Sequence, residues 1–346
     1  MNQFWSRWIA RCLTPILLAA IVAVSDQVPA DARSNQGRLT VCSGSLCRDG
    51  RPWQLYMASV YQGLDNPSQT VAEARAIGLD AIRITDYLDV HSAPAVGPYD
   101  PARWARVDRL IAAAGSARLL VVLDFSTYRN LLKTAGLNPY TVDWSRFLRS
   151  VADRRNTVTG VRYRDDPTIG MVSFAGEVDA INSGENTYGL TAATLVRFYS
   201  KVLTYWHHLA PGQLRTAGGL FQLDWNSGIP WKAIFALPGN DVDAVHVYGP
   251  GDRSVTVPAV ADFSRSQRKP WIIEEFGFDA QDGDRARAEG FNNTFALAST
   301  FGAAGVGFWN LGSQTGSTYD VGPQFPQAMN AVMAHTSTSG AVRSAR

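Results

Sequence analysis

The chain has 346 residues, with 32 Lys and Arg against 30 Asp and Glu and a formal net charge of +2. Without a basic excess or a run of like charge, nucleic acid is excluded as an expected partner. The length suits a single α/β barrel with elaborated loops, a fold of about 250 residues in its plain form. A leader comes first: Arg7 and Arg11 are basic, residues 13–24 are apolar apart from Thr14 and Pro15, and Ala30-Asp31-Ala32 offers small residues at a cleavage point. This is the pattern of a secretory signal peptide over residues 1–32, and its apolar run is shorter than the roughly 20 residues of a membrane span. The mature protein is expected to be secreted or held in the periplasm or cell envelope, as a monomer without stable membrane insertion.

Residues 37–51 read as a β-hairpin that covers the lower mouth of the barrel. It carries Cys42 and Cys47, and in an exported chain these two are expected to pair as a disulfide. From residue 53 onward, short apolar runs alternate with helical patterns, the sign of βα units and a parallel sheet. The predicted strands are 53–61, 79–84, 119–125, 169–174, 215–220, 242–247, 271–273 and 305–311, and eight is the number that closes a (β/α)8 TIM barrel. Helices are predicted over 68–77, 103–114, 144–154, 192–208 and 285–301, where apolar residues recur at helical spacing. No linker divides the chain, so 33–334 reads as one catalytic domain. Residues 335–346, small and polar without a period, read as a disordered tail.

Two predicted strands end on acids. The apolar run 169–175 leads to Glu177, and Trp271-Ile272-Ile273 leads to Glu274 and Glu275, followed by Phe276-Gly277. Barrel enzymes carry their catalytic groups at the C-terminal tips of the strands, and two acids facing one cleft suffice for glycoside hydrolysis. The scattered His residues and the hairpin cysteines suggest neither a metal site nor a thiol nucleophile, so no cofactor is expected.

The stretch from Asn156-Thr157-Val158-Thr159-Gly160-Val161 through Asp165-Asp166-Pro167-Thr168-Ile169 to Glu177 resembles the retaining family 5 glycoside hydrolases, above all their endo-β-mannanase branch. In that family this strand carries the general acid/base. Lys269-Pro270-Trp271-Ile272-Ile273-Glu274-Glu275-Phe276-Gly277 resembles the nucleophile strand, which ends Glu-Phe-Gly. The resemblance therefore implies Glu177 as acid/base and Glu275 as nucleophile, acting by double displacement on a polysaccharide, an oligosaccharide or a cell-envelope glycan. It further implies Arg83, in Asp80-Ala81-Ile82-Arg83-Ile84, as the cation beside the nucleophile. His246 and Tyr248, in His246-Val247-Tyr248, and Trp309 are implied at the bound sugar.

Chemistry adds expectations of its own. Glu275 must be ionised, which a guanidinium and a Tyr hydroxyl would favour. Glu177 must start protonated, so an apolar setting from Phe174 and Ala175 is expected. Strand alternation lets only one of two adjacent side chains face the mouth, so Glu274 is expected to point sideways. Asp124, Tyr128, Arg129, Asp224 and Trp225 follow strands at the end where substrate binds and are candidate contacts.

The chain also departs from the family pattern. Gly176 stands where the family has the Asn that bonds the sugar 2-hydroxyl, Val178 replaces a Pro, and Ser59-Val60-Tyr61 replaces an Asn-bearing first strand. These losses imply altered specificity. They also motivate the alternative of a non-catalytic glycan-binding protein on a glycosidase barrel.

Overall fold

The computed structural model describes residues 37–344 apart from 62, 86, 89–96, 180, 183–185, 221, 222 and 224–226, with side chains to residue 337. The predicted signal peptide lies outside the described residues. The first element is a small antiparallel sheet of β1 (Leu39–Cys42), β2 (Ser45–Arg48) and β3 (Arg51–Pro52). Its first turn, Ser43-Gly44, has both residues left-handed, at φ 49° and 81°. Such a two-residue turn matches the twist of the flanking strands, and it brings Cys42 and Cys47 into the expected disulfide with Cα atoms 5.9 Å apart. Leu39 and Leu46 pack on Leu55, Leu120 and Met171 at the N-terminal end of the barrel, so the hairpin does close the lower mouth.

All eight predicted strands form: β4 (Leu55–Ser59), β5 (Ala81–Ile84), β6 (Leu120–Asp124), β7 (Ile169–Ser173), β8 (Leu214–Thr216), β9 (Asp243–Val247), β10 (Trp271–Phe276) and β11 (Gly305–Phe308). They pair in parallel in the order β8-β7-β6-β5-β4-β11-β10-β9. A parallel bridge between Leu220 and Val245 joins the two ends into a (β/α)8 barrel. Because side chains alternate along a strand, the interior is built in layers. Met57, Ala81, Val122, Met171, Ala244 and Ile272 fill an apolar layer. One step toward the C-terminal mouth the same strands present Ser59, Arg83, Asp124, Ser173, His246 and Glu274, all buried. A layer of buried polar and ionised groups on an apolar plug is costly unless every charge is paired, and this layer positions the site.

The five predicted helices are present, at Pro67–Ala76, Pro101–Ser116, Ser145–Asp153, Ala192–Leu209 and Asp284–Thr300. Others were not foreseen. Ser126–Thr134 follows β6 after a single residue, and Val257–Gln267 is entered through an irregular wide turn over Asp252–Thr256. The last helix, Pro326–Ser344, corrects the expected tail, since 335–344 is helical. The Thr336 hydroxyl donates to the Ile77 carbonyl at 2.7 Å, and the His335 ring stacks on Phe295 at 4.6 Å. Small residues that look featureless in sequence are here what lets a helix dock closely.

The approach to β7 owes its shape to Asp108 on the helix Pro101–Ser116. This fully buried carboxylate accepts from Arg154 Nε at 2.8 Å and Nη2 at 2.6 Å, from the Tyr163 hydroxyl at 2.6 Å, and from the Thr157 amide and hydroxyl at 3.0 and 2.8 Å. Burial alone would raise its pKa, but these donors outweigh it and hold the group below its ordinary value. The stability they confer is present above the ordinary carboxylate pKa and fades as pH falls below it. Asp108→Asn keeps the shape and removes the charge, so it should cost about 1.5–3 kcal/mol, measured by urea unfolding at pH 7, with a smaller difference at pH 3.

Candidate active site

Arg83 stands at the centre of the polar layer. Its Nη1 donates to Ser59 Oγ at 2.9 Å and to Glu275 Oε2 at 2.6 Å. Its Nη2 donates to Asp124 and lies 3.9 Å from Glu274 Oε2. Burial works against the guanidinium charge, but Asp124, Glu274 and Glu275 more than offset it and drive the pKa up. Tyr248 donates its hydroxyl to the other oxygen, Glu275 Oε1. Burial and then the Glu275 charge push the phenol pKa well up, so it remains a donor. Glu275 thus has a donor on each oxygen, as the chemistry required.

Glu274 corrects the sequence reading: it does not point sideways. The pairing of β10 with β9 slips between Ile273 and Glu275, and such a bulge re-aims side chains. Ile272 and Glu274 both face the axis, and the slip still delivers Glu275 to the mouth. Glu274 is 1 % exposed. Its Oε2 accepts from the Gly219 amide at 2.6 Å and lies 3.3 Å from His246 Nε2. Burial would raise its pKa; Arg83 and His246 prevail and hold it down at about 2.

The setting of Glu177 is a second correction. Phe174 and Ala175 are buried in the outer core, with the Phe174 ring 5.5 Å from that of Phe125, and the residues beside the carboxylate are polar. Glu177 has a left-handed backbone at φ 54°, a conformation that costs a non-Gly residue energy and persists only where neighbours enforce it. Its amide donates to the Gly219 carbonyl at 3.0 Å, and Arg129 Nη1 donates to its carbonyl at 3.1 Å. The side chain is 42 % exposed and places Oε1 2.8 Å from His246 Nδ1. Burial tends to raise the Glu177 pKa, but the His246 hydrogen bond and charge, helped by Arg129 and Arg83, lower it to about 2. For His246 burial favours the neutral ring, yet Glu275, Glu177 and Glu274 raise its pKa to about 10. Both shifts favour the proton on the His246 ring and the negative charge on Glu177.

Oxygens of Glu177 and Glu275 and a His246 nitrogen all lie within 4.8 Å of one another. Three such groups could in principle hold a metal ion. Both ring nitrogens already face carboxylates, however, so the imidazole occupies the place of the cation and the donor set does not fit a metal.

A cavity of about 190 Å³ opens over these groups, with Trp309 and Tyr61 on one side and Ser126, Arg129 and Asn130 on the other. The Tyr61 and Trp309 rings meet edge to face at 5.7 Å. Glu177, Glu275, Arg83, His246 and Trp309 all line it, and Tyr248 reaches it through Glu275. Tyr61, Glu274 and the anchoring role of Arg129 escaped the sequence reading. Tyr128 is core, stacked on Phe147 at 3.9 Å, and Asp124 is the buried counter-ion of Arg83, so neither meets its expectation as a substrate contact. Asp224 and Trp225 lie outside the described residues. A larger cavity, about 540 Å³, lies on the outer wall between the helices Ser145–Asp153 and Ala192–Leu209, and Asp143 is its single acid.

The departure at Gly176 has a structural cause. A Cβ there would meet the Gly219 amide nitrogen at 2.9 Å and its carbonyl oxygen at 3.0 Å, both backbone atoms. The backbone of Gly218 and Gly219, just beyond β8, occupies the space an Asn side chain would need. Gly176→Asn should therefore not raise activity on any glycan and should cost about 1–3 kcal/mol by overpacking, checked by thermal unfolding alongside a hydrolysis assay.

No family model matches the chain. Among known proteins it is similar to a putative mannan endo-1,4-beta-mannosidase 9 of Oryza sativa subsp. japonica, 24% identical over 338 residues that cover 81% of each chain. Its fold is similar to that of the endo-1,4-beta-mannanase of Rhizomucor miehei, with a TM-score of 0.72 at 20% identity over 88% of this chain and 99% of that one. A glycoside hydrolase family 5 mannosidase from the same organism gives 0.68 at 15% identity, over 90% and 100%. The likeness to family 5 mannanases read from the sequence is thus the likeness that both the sequence relative and the fold return.

Proposed function

We propose that this protein is a secreted glycoside hydrolase that cleaves O-glycosidic bonds in a polysaccharide, an oligosaccharide or a cell-envelope glycan with retention of configuration. The observation that carries the reading is the facing pair Glu177 and Glu275, with oxygens within 4.8 Å. Retaining enzymes hold their two carboxyl groups roughly 5–5.5 Å apart, whereas inverting enzymes need roughly 6.5–9.5 Å to admit a water. In the first step a Glu275 oxygen attacks the anomeric carbon, and the leaving oxygen takes a proton from Glu177. In the second, water attacks the glycosyl ester and gives its proton to Glu177, freeing Glu275. Arg83 and Tyr248 each donate to one Glu275 oxygen and hold it for attack, His246 serves Glu177, and Trp309 with Tyr61 offers ring faces to the sugar.

A β-mannan-like substrate is supported by the names of the relatives, and altered specificity by the absence of an amide at Gly176. Secretion is supported by the leader and by the Cys42–Cys47 disulfide, a bond favoured in oxidising compartments; among the described residues no helix is long and apolar enough to cross a membrane. The test is a panel of β-mannans, other glycans and aryl glycosides, with the product anomer followed by proton NMR. Hydrolysis giving first the anomer of the substrate's own configuration is expected. Inversion would refute the mechanism, and binding without hydrolysis of any member would favour the glycan-binding alternative.

A further inference from the structure

Double displacement uses two carboxylates, yet a third, Glu274, is buried at the barrel axis in contact with the one imidazole of the site. The His246 ring lies between acids, with Nδ1 2.8 Å from Glu177 Oε1 and Nε2 3.3 Å from Glu274 Oε2 and 3.6 Å from Glu275 Oε2. Ionised carboxylates only accept hydrogen bonds, so a ring with an acid on each nitrogen is satisfied only when both nitrogens carry protons. The ring cannot turn away. It is 2 % exposed and its Cδ2–Nε2 side is packed against Gly219, where a Cβ would come within 1.8 Å of Cδ2 and 2.1 Å of Nε2. Glu274 is fixed in turn by the Gly219 amide.

Building on the glycosidase reading above, we propose that His246 stores the catalytic proton and that Glu274 is the positioning residue that keeps it there. In the resting site Glu177 is a carboxylate and His246 an imidazolium. As the glycosidic bond breaks, its electron pair goes to the leaving oxygen, which takes a proton from Glu177 while Nδ1–H supplies one to Glu177. Glu275 bonds to the anomeric carbon, and His246 becomes neutral with its Nε2–H still directed at Glu274. That tautomer leaves the Nδ1 lone pair aimed at Glu177. When water attacks, its proton passes to Glu177 and back to Nδ1, the ester bond breaks, and the Glu275 carboxylate returns. Glu274 thus does for His246 what a buried acid does for the histidine of a catalytic triad. It fixes tautomer and orientation without itself exchanging a proton.

The charged and titratable groups facing the ring are Glu177 beyond β7, Glu274 and Glu275 on β10, Arg83 on β5 with Asp124 behind it on β6, Tyr248 after β9, and Arg129 on the helix Ser126–Thr134. The acids outnumber the cations, and His246 accordingly titrates near 10. Its pKa is raised, so the charged ring is complete below the ordinary histidine value and is lost only as pH rises through about 10.

The experiment follows the ring nitrogens of the whole protein labelled with 15N-histidine from pH 5 to 11, in wild type and Glu274→Gln, with the His246 signals assigned by their loss in His246→Gln. Wild-type His246 is expected to be doubly protonated up to pH 9. In Glu274→Gln its titration should fall by about 1–3 units, the shift a near charge produces. The alkaline limb of kcat/KM on the best aryl glycoside should move down by a similar amount. A neutral wild-type ring at pH 8 would overturn the proposal, even if the variant failed to fold. So would a variant with reduced kcat but an unmoved limb and ring titration. If no glycan is cleaved, the proposed hydrolysis fails, while the ring titration still decides whether Glu274 holds the charge.

Discussion

Glu275→Gln should reduce kcat/KM by about 10⁴-fold or more, the scale on which loss of a nucleophile acts, while the barrel remains folded. The amide is nearly the same size, but it is not a nucleophile at the anomeric carbon. It also carries no charge for Arg83 Nη1 or the Tyr248 hydroxyl to stabilise. Glu177→Gln should differ in kind. With natural glycans the leaving oxygen needs a proton and activity should fall as far. With an aryl glycoside whose phenol leaves unprotonated, the first step survives and water attack becomes slow, so a burst of phenol should precede a low steady rate. Stopped-flow release of phenol separates the two variants. A burst in Glu275→Gln would contradict the assignment.

Arg83→Met carries the largest expected effect on stability. Its guanidinium balances Asp124 and Glu274, with fully buried side chains, and Glu275, whose side chain is 9 % exposed. Removing one partner of a buried ionic group leaves uncompensated charge and costs about 3–5 kcal/mol. The sign of the pH dependence follows from the carboxylates. Glu274 is held at about 2 in the intact site, mainly against burial by Arg83, so its contribution is present above the ordinary Glu pKa and is lost as pH falls toward 2. Without Arg83 the acids would take up protons instead. The gap between wild type and variant in urea unfolding should therefore be widest near pH 7 and narrow toward pH 4. An equal gap at both values would mean that packing, rather than charge, is what Arg83 supplies.

The barrel was legible in the sequence because its strands are short apolar runs buried on both faces, alternating with segments whose apolar residues recur at helical spacing. Arg83, His246 and Glu275 were legible for a related reason: an ionisable residue inside or at the tip of such a run needs a partner. What stayed hidden depends on contacts between distant segments. Strict alternation allows only one of Glu274 and Glu275 to face inward, and the slip in pairing between Ile273 and Glu275, which brings both there, involves β9 and is not announced by the local sequence of β10. Glu177 was expected to be kept protonated by Phe174 and Ala175. Those residues face the outer core, and the carboxylate instead meets His246 from a strand nearly seventy positions away. Gly176 read as a lost contact, although the backbone of Gly218 and Gly219 fills its place. The segment 155–169, which read as a motif for chemistry, is shaped by Asp108. The last turns of the final helix were missed because its buried apolar residues, Ala328, Ala331 and Val332, all come earlier, and beyond them it docks through the buried Thr336 hydroxyl.

The most direct test of the account is the intact mass of the wild-type protein after incubation with an activated 2-fluoro glycoside of the sugar it cleaves, followed by peptide mapping. One glycosyl unit on Glu275, absent after Glu275→Gln, is the predicted result. An adduct on Glu274 or Glu177, or turnover that never yields an adduct and releases the inverted anomer, would contradict it.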